Sequence, residues 1–204
     1  MLLYIVRHGI AIDREDPKCP PDPERYLTEE GLKKTKEIAR GVAALGAEPG
    51  LFISSPYVRA MQTAEIFASV LRYSRKKIER ADSLLPGSDP HLFYKELAKH
   101  RHLDSAFCFG HAPQLDQVLS VGLGTKKTVT ELKKAGVALL DLAHLSPPEA
   151  TLVWLGTPKL LKKAGKWSPA VAALRCGCSV RQLLHGWRGR AKLDNFFSQY
   201  WELN

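Results

Sequence analysis

The sequence predicts an α/β fold, a central sheet with helices on both faces, and three observations carry that prediction. Short apolar runs rich in β-formers recur at residues 2–6, 51–53 and 105–109. Each run stops at a turn bearing Gly, Ser or Pro, and stretches of helical length and periodicity lie between them. Strands that alternate with helices bury both faces of the sheet they form.

Taken in order, residues 2–6 read as a buried strand ending at Arg7-His8-Gly9, and 13–25 as a loop crowded with Pro17, Pro20, Pro21 and Pro23. Thr28 is the expected N-cap of a helix to about residue 45, with Glu29 and Glu30 in its first turn, where they complement the helix dipole. Leu32, Ile38, Val42 and Leu45 would form its apolar stripe. The strand at 51–53 turns through Ser54-Ser55-Pro56 into a helix over about 58–73. Residues 78–85 contain a short extended stretch, Pro90 opens a helix to about 100, and 105–109 is a third central strand. A helix over 114–121 and two strands, 136–142 and 150–155, separated by the Pro147-Pro148 turn, complete the pattern. Beyond Pro158 helical pieces are separated by Gly165, Pro169, Gly177, Gly186 and Gly189.

A length of 204 residues suits one domain plus an appendage, and with 45% apolar and 25% charged residues the composition is that of a soluble globular protein. The apolar opening ends at Arg7, far short of the roughly 20 residues a membrane span requires. A cytoplasmic protein with reduced thiols is expected, since Cys19, Cys108, Cys176 and Cys178 are too few and too scattered for a disulfide scaffold. Cys176-Gly177-Cys178 finds no second Cys or His pair at zinc spacing, so neither a metal nor another cofactor is expected. The net charge of +9 is uneven: residues 159–204 hold nine Lys and Arg against two Asp and Glu, a net +7, while 1–158 hold 21 against 19, a net +2.

Three strand ends deliver residues suited to phosphate: Arg7-His8-Gly9, then Ser54-Ser55-Pro56 with Arg59 a turn later, then Gly110-His111. Ligands of open α/β sheets sit beyond the carboxyl ends of the strands. Two guanidinium forks and two imidazoles converging there would bind a phosphoryl group and supply a nucleophile or proton donor.

On Arg7-His8-Gly9, Leu27-Thr28-Glu29-Glu30-Gly31, the run from Ser54 to Ala64 and Gly110-His111, the chain resembles the histidine phosphatase superfamily. It is most similar to the compact SixA-type phosphohistidine phosphatases, because the span from Arg59 to His111 is short. Gly110-His111-Ala112-Pro113 and Trp154-Leu155-Gly156-Thr157-Pro158-Lys159 also suit that branch. The resemblance implies a three-layer α/β/α sandwich with a mostly parallel, phosphoglycerate mutase-like sheet over residues 1–160, leaving 161–204 as a basic helical extension. It implies His8 as a nucleophile that is transiently phosphorylated, and Arg7, Arg59 and His111 as the groups that hold the phosphoryl oxygens. Gly9 would let the backbone approach the phosphate. Arg25 matches an arginine of the SixA-type pattern that reaches the pocket, or else is a surface arginine in a Pro-rich loop.

The general acid that many members carry has no match here, the nearest candidates being Asp13, Asp82 and Asp89, the last equally suited to N-cap the helix after it. An imidazole leaving group, with a pKa of about 6.5, departs with less help than an alkoxide, which favours phosphohistidine as substrate. The expected activity is therefore metal-independent hydrolysis of phosphohistidine on a partner protein. The alternatives are a small-molecule phosphomonoesterase of the same mechanism, or a noncatalytic phosphate or polyanion binder using the basic tail. In that tail Trp167, Trp187, Phe196, Phe197, Tyr200 and Trp201 lie among the cations. Nucleic acid is disfavoured as a partner, since no recognisable binding motif accompanies them. Oligomeric state is left open.

Overall fold

The computed structural model describes residues 1–166. Six strands, β1 (Leu2–Arg7), β2 (Leu51–Ser54), β3 (Glu79–Arg80), β4 (Ser105–Gly110), β5 (Val137–Leu145) and β6 (Pro148–Gly156), form one sheet. Their order is β3-β2-β4-β1-β5-β6. The first four pair in parallel, whereas β5 runs antiparallel to β1 and β6 antiparallel to β5.

Side-chain alternation along β1 shows how the layers assemble. Leu3 and Ile5 point into a core shared with Phe93, Tyr94, Leu97, Leu115, Val118 and Leu119, which belong to α3 (Pro90–Leu97) and α4 (Gln114–Gly122). Tyr4 and Val6 point the other way, onto Ile38, Val42, Phe67 and Leu161 from α1 (Glu29–Ala44), α2 (Val58–Leu71) and α5 (Pro158–Ala164). That period of two is what a strand buried on both faces requires. An aromatic seam runs through the second layer, with Tyr4 stacked on Phe107 at 4.2 Å and Phe52 stacked on Tyr73 at 4.5 Å.

Local signals explain where helices begin. The Thr28 side chain accepts a hydrogen bond from the Gly31 N–H, Asp89 accepts from the His91 N–H, and Thr157 accepts from the Leu160 N–H. The apolar stripe of α1 departs from expectation: Ile38 and Val42 are buried, but Leu32 and Leu45 are 40% and 37% exposed. Small residues take their place, with Gly31, Thr35, Ala39 and Gly41 buried, because neighbouring backbone comes too close for leucine. A Cβ on Gly31 would meet the Ile10 carbonyl, and one on Gly41 would meet the Leu161 carbonyl of α5. In the 78–85 stretch only Glu79–Arg80 pairs as a strand, and Asp82–Leu84 is a 3-10 turn that buries Leu84. In α3 the buried residues are Phe93, Tyr94 and Leu97, while Leu92 is half exposed. Among the described residues no helix is long and apolar enough to cross a membrane. The helical pieces expected after residue 166, with Cys176, Cys178 and the tail aromatics, lie outside the described residues.

Candidate active site

Parallel register brings three chain segments to one end of the sheet. Arg7 aligns with Gly110 across β1 and β4, and Ser54 aligns with Phe109 across β2 and β4. The residues that follow are therefore neighbours: the His8 N–H donates to the Gly110 carbonyl at 3.0 Å and the Ser55 N–H to the Phe109 carbonyl at 2.9 Å. His8 and His111 are both buried, their ring centroids 5.1 Å apart. The edge of Tyr57 meets the His111 ring at 5.2 Å, and the Arg59 guanidinium lies 4.9 Å from the Tyr57 ring centre. Arg7, His8, Arg59 and His111, expected together from the sequence, are thus together in space.

A hydrogen bond fixes the tautomer of His8, and a hydroxyl contacts His111. His8 Nδ1 lies 2.8 Å from the Gly9 carbonyl, which can only accept, so Nδ1 carries the proton and Nε2 keeps its lone pair. Burial, joined by the charges of Arg59, Arg7 and Lys134, outweighs that hydrogen bond and lowers the His8 pKa to about 4. His111 Nε2 is 2.9 Å from Ser55 Oγ, which already accepts from the Tyr57 N–H. Burial, then the Arg59 charge, brings the His111 pKa down to about 3. Three buried nitrogens in this cluster have no protein partner: Arg7 Nε, Arg59 Nε and His111 Nδ1.

Both arginines are held from behind. Arg7 donates to the Leu132 carbonyl, and Leu132 is itself fixed because its N–H donates to Asp116 Oδ1 at 2.9 Å. The N–H of Ala135, a residue at φ 61°, bridges the carbonyls of Arg7 and His8 at 3.1 and 3.0 Å. Arg59 donates one terminal nitrogen to the Asp22 carbonyl at 2.6 Å and the other to Asp22 Oδ2 at 3.2 Å. Burial alone would raise the Asp22 pKa, but Arg25 and Arg59 outweigh it and bring the carboxyl down to about 2. The Thr63 hydroxyl donates to the Arg59 carbonyl and accepts from the Gly9 N–H, tying α2 to the end of β1.

The remaining expected residues fall differently. Arg25 spends Nε and one terminal nitrogen on the Ile12 carbonyl and the other on Asp22, so it braces the carboxylate that holds Arg59. Gly9 is crowded by protein: a Cβ there would collide with Thr35 Oγ1 and approach Leu27 Cδ2 at 3.3 Å. Of the acid candidates, Asp89 caps α3, Asp13 accepts the Glu15 N–H, and Asp82 opens the 3-10 turn; all three are exposed. The carboxylate that does reach the cluster, Asp22, lies outside every motif of the sequence, as does Asp116, whereas Ser55, expected among the residues suited to phosphate, contacts His111. Only the three-residue spacing of Asp22 and Arg25 hinted at the pairing. Among the described residues no group of three or more His, Cys, Asp or Glu is placed to hold a metal ion.

Fold and cluster together define an α/β protein with an anion-competent pocket at its parallel strand ends. A family model described as the histidine phosphatase superfamily (branch 1) matches residues 3–106. An uncharacterized protein of Picosynechococcus sp. (strain ATCC 27264 / PCC 7002 / PR-6) is 33% identical over 140 residues, covering 67% of this chain and 82% of that one. The chain belongs to the histidine phosphatase superfamily. Its fold is similar to that of the protein histidine phosphatase SixA, solved with tungstate, at a TM-score of 0.69 and 23% identity over 78% of this chain and 98% of that one. It is also similar to a phosphoserine phosphatase mutant from Entamoeba histolytica in complex with phosphoserine, at a TM-score of 0.61 and 15% identity over 78% and 98% of the two chains.

Proposed function

We propose that this protein hydrolyses phosphohistidine on a partner protein, without a metal, through a phosphohistidine formed on His8. The observation that carries the reading is the set of buried nitrogens without partners around that histidine, Arg7 Nε, Arg59 Nε and His111 Nδ1. A native protein leaves few such groups unsatisfied, and a tetrahedral oxyanion would satisfy all three. The likeness in fold to SixA, itself solved with tungstate, supports the same reading.

In the first step the lone pair on His8 Nε2 attacks phosphorus in line with the bond to the substrate imidazole; an N–P bond forms as the substrate N–P bond breaks, and the substrate ring, already protonated on its other nitrogen, leaves as neutral imidazole. The proton on Nδ1, held by the Gly9 carbonyl, keeps the ring in the attacking tautomer. In the second step water attacks the phosphorus on His8, the enzyme N–P bond breaks, and inorganic phosphate leaves. Arg7, Arg59 and a His111 Nδ1–H, the latter set by a Ser55 hydroxyl that donates to Nε2, spread positive charge over the equatorial oxygens in both steps. No carboxylic acid is needed at the leaving group, because imidazole is a weak base compared with an alkoxide. Asp22, fully ionised at neutral pH, serves as the anchor of Arg59.

The test is phosphate release from a phosphohistidine-bearing protein, in chelator-treated buffer, by wild type and His8→Ala. Release by the wild type that is lost in the variant is expected. A wild type that cleaves an alkyl phosphate in preference to phosphohistidine would instead assign a small-molecule phosphomonoesterase, the second reading, favoured by the likeness in fold to the phosphoserine phosphatase.

A further inference from the structure

A cavity of about 420 Å³ is lined by Arg7, Ile10, Lys34, Thr35, Lys133 and Lys134 among others. It lies at the same end of the sheet as the histidine pair, since Val137, just after these lysines, aligns with Val6, just before Arg7. Arg7 is common to this cavity and to the cluster around His8. The Thr35 hydroxyl is fully buried and unpartnered.

Charge in the cavity is one-sided, for no Asp or Glu lines it. Lys34 and Lys133 have carboxylates nearby, Glu30 and Glu131, but both pairs are solvent-exposed and readily exchanged. Lys134 has no ion-pair partner among the described residues, and its charge is felt at His8. A cationic recess with an unpaired buried hydroxyl, sharing an arginine with a phosphate-competent site, has the chemistry to take a second anion.

We infer that this cavity receives a carboxylate carried by the substrate itself, a few bonds from the phosphoryl group. The inference deepens the phosphatase reading and rests on it for the position of that phosphoryl group. The carboxylate belongs either to an acidic side chain beside a phosphohistidine or to a small phosphorylated acid; the cavity chemistry is common to both.

Calorimetry on the full chain with 3-phosphonopropionate and ethylphosphonate tests this without turnover, because the two differ by the carboxylate and neither can be hydrolysed. The carboxylate-bearing compound is expected to bind at least about ten-fold tighter, and the gap to shrink below about three-fold in Lys134→Ala and to close in Lys134→Glu. Equal binding of the two by the wild type, or a gap that persists in Lys134→Glu, overturns the inference. A gap in binding without any hydrolysis of phosphohistidine would uphold the cavity's role and overturn the phosphohistidine reading; hydrolysis without a gap would do the reverse. The source of the carboxylate follows from kcat/KM ratios, for phosphohistidine peptides with an adjacent Asp against Asn, and for phosphoglycolate against ethyl phosphate.

Discussion

At the residue scale, the charge of Arg59 helps to keep His8 neutral and Asp22 ionised. With the His8 pKa at about 4, the ring is neutral at pH 7, and acidification silences the nucleophile only as pH approaches 4. An NMR titration of the His8 ring should therefore stay flat through 6.5, where a free histidine would already titrate; a midpoint at 6.5 for that ring would contradict the assignment. Asp22 occupies both terminal nitrogens of Arg59, and Arg59 is itself buried. Truncation by Asp22→Ala should cost about 1–2 kcal/mol in the free protein, discounted from a fully buried pair because the Asp22 side chain is 35% exposed. With its anchor lost, Arg59 is no longer held at the site, so inorganic phosphate should raise Tm less in Asp22→Ala than in wild type. An equal or larger rise in the variant would show that Asp22 does not position Arg59.

At the scale of elements, the pocket depends on loops that helices pin down. Asp116, buried on α4, accepts both the Thr130 hydroxyl and the Leu132 N–H at 2.9 Å, and Leu132 in turn accepts from Arg7. Asp116→Ala should strand two donors, cost about 2–3 kcal/mol by urea unfolding, and raise KM for a phosphate ester more than it lowers kcat, because Arg7 loses its support. A variant with unchanged KM would break the link from α4 to Arg7. On the other face, α5 docks on α1 where Gly41 faces the Leu161 backbone. Gly41→Val should force the two helices apart, while the milder Leu161→Ala should cost about 2–5 kcal/mol by cavity formation; both are read by thermal unfolding.

At the scale of the whole molecule, burying two neutral histidines makes stability pH-dependent. The unfolded chain binds protons at His8 and His111 near pH 6.5, whereas the folded chain resists until about 4 and about 3. Their contribution is whole above 6.5 and is lost progressively as pH falls toward those values, with the Asp22 contribution fading only below 3.8. Denaturant midpoints measured from pH 7 to 4.5 should fall for wild type and fall less for His111→Ala; parallel slopes would refute the linkage.

Sequence by itself determined the fold class and four of the residues that meet at the pocket, and the reason is local. Apolar runs with period two, caps such as Thr28 and Asp89, and the punctuating glycines and prolines act over a few residues, so they are written where they operate. Arg7, His8, Arg59 and His111 were legible because each ends a strand or lies just after a strand or its turn. Asp22 and Asp116 were not, since a carboxylate's partner is set by which loop the sheet order brings across, and one aspartate looks like another in a chain. The same holds for the α1 stripe, where close backbone approach at Gly31 and Gly41 buried small residues and turned Leu32 and Leu45 outward. Lys133 and Lys134 sit in no motif, and only the antiparallel pairing of β5 with β1 sets them beside Arg7. Tertiary structure alone decided these, because they rest on contacts between residues far apart in the chain.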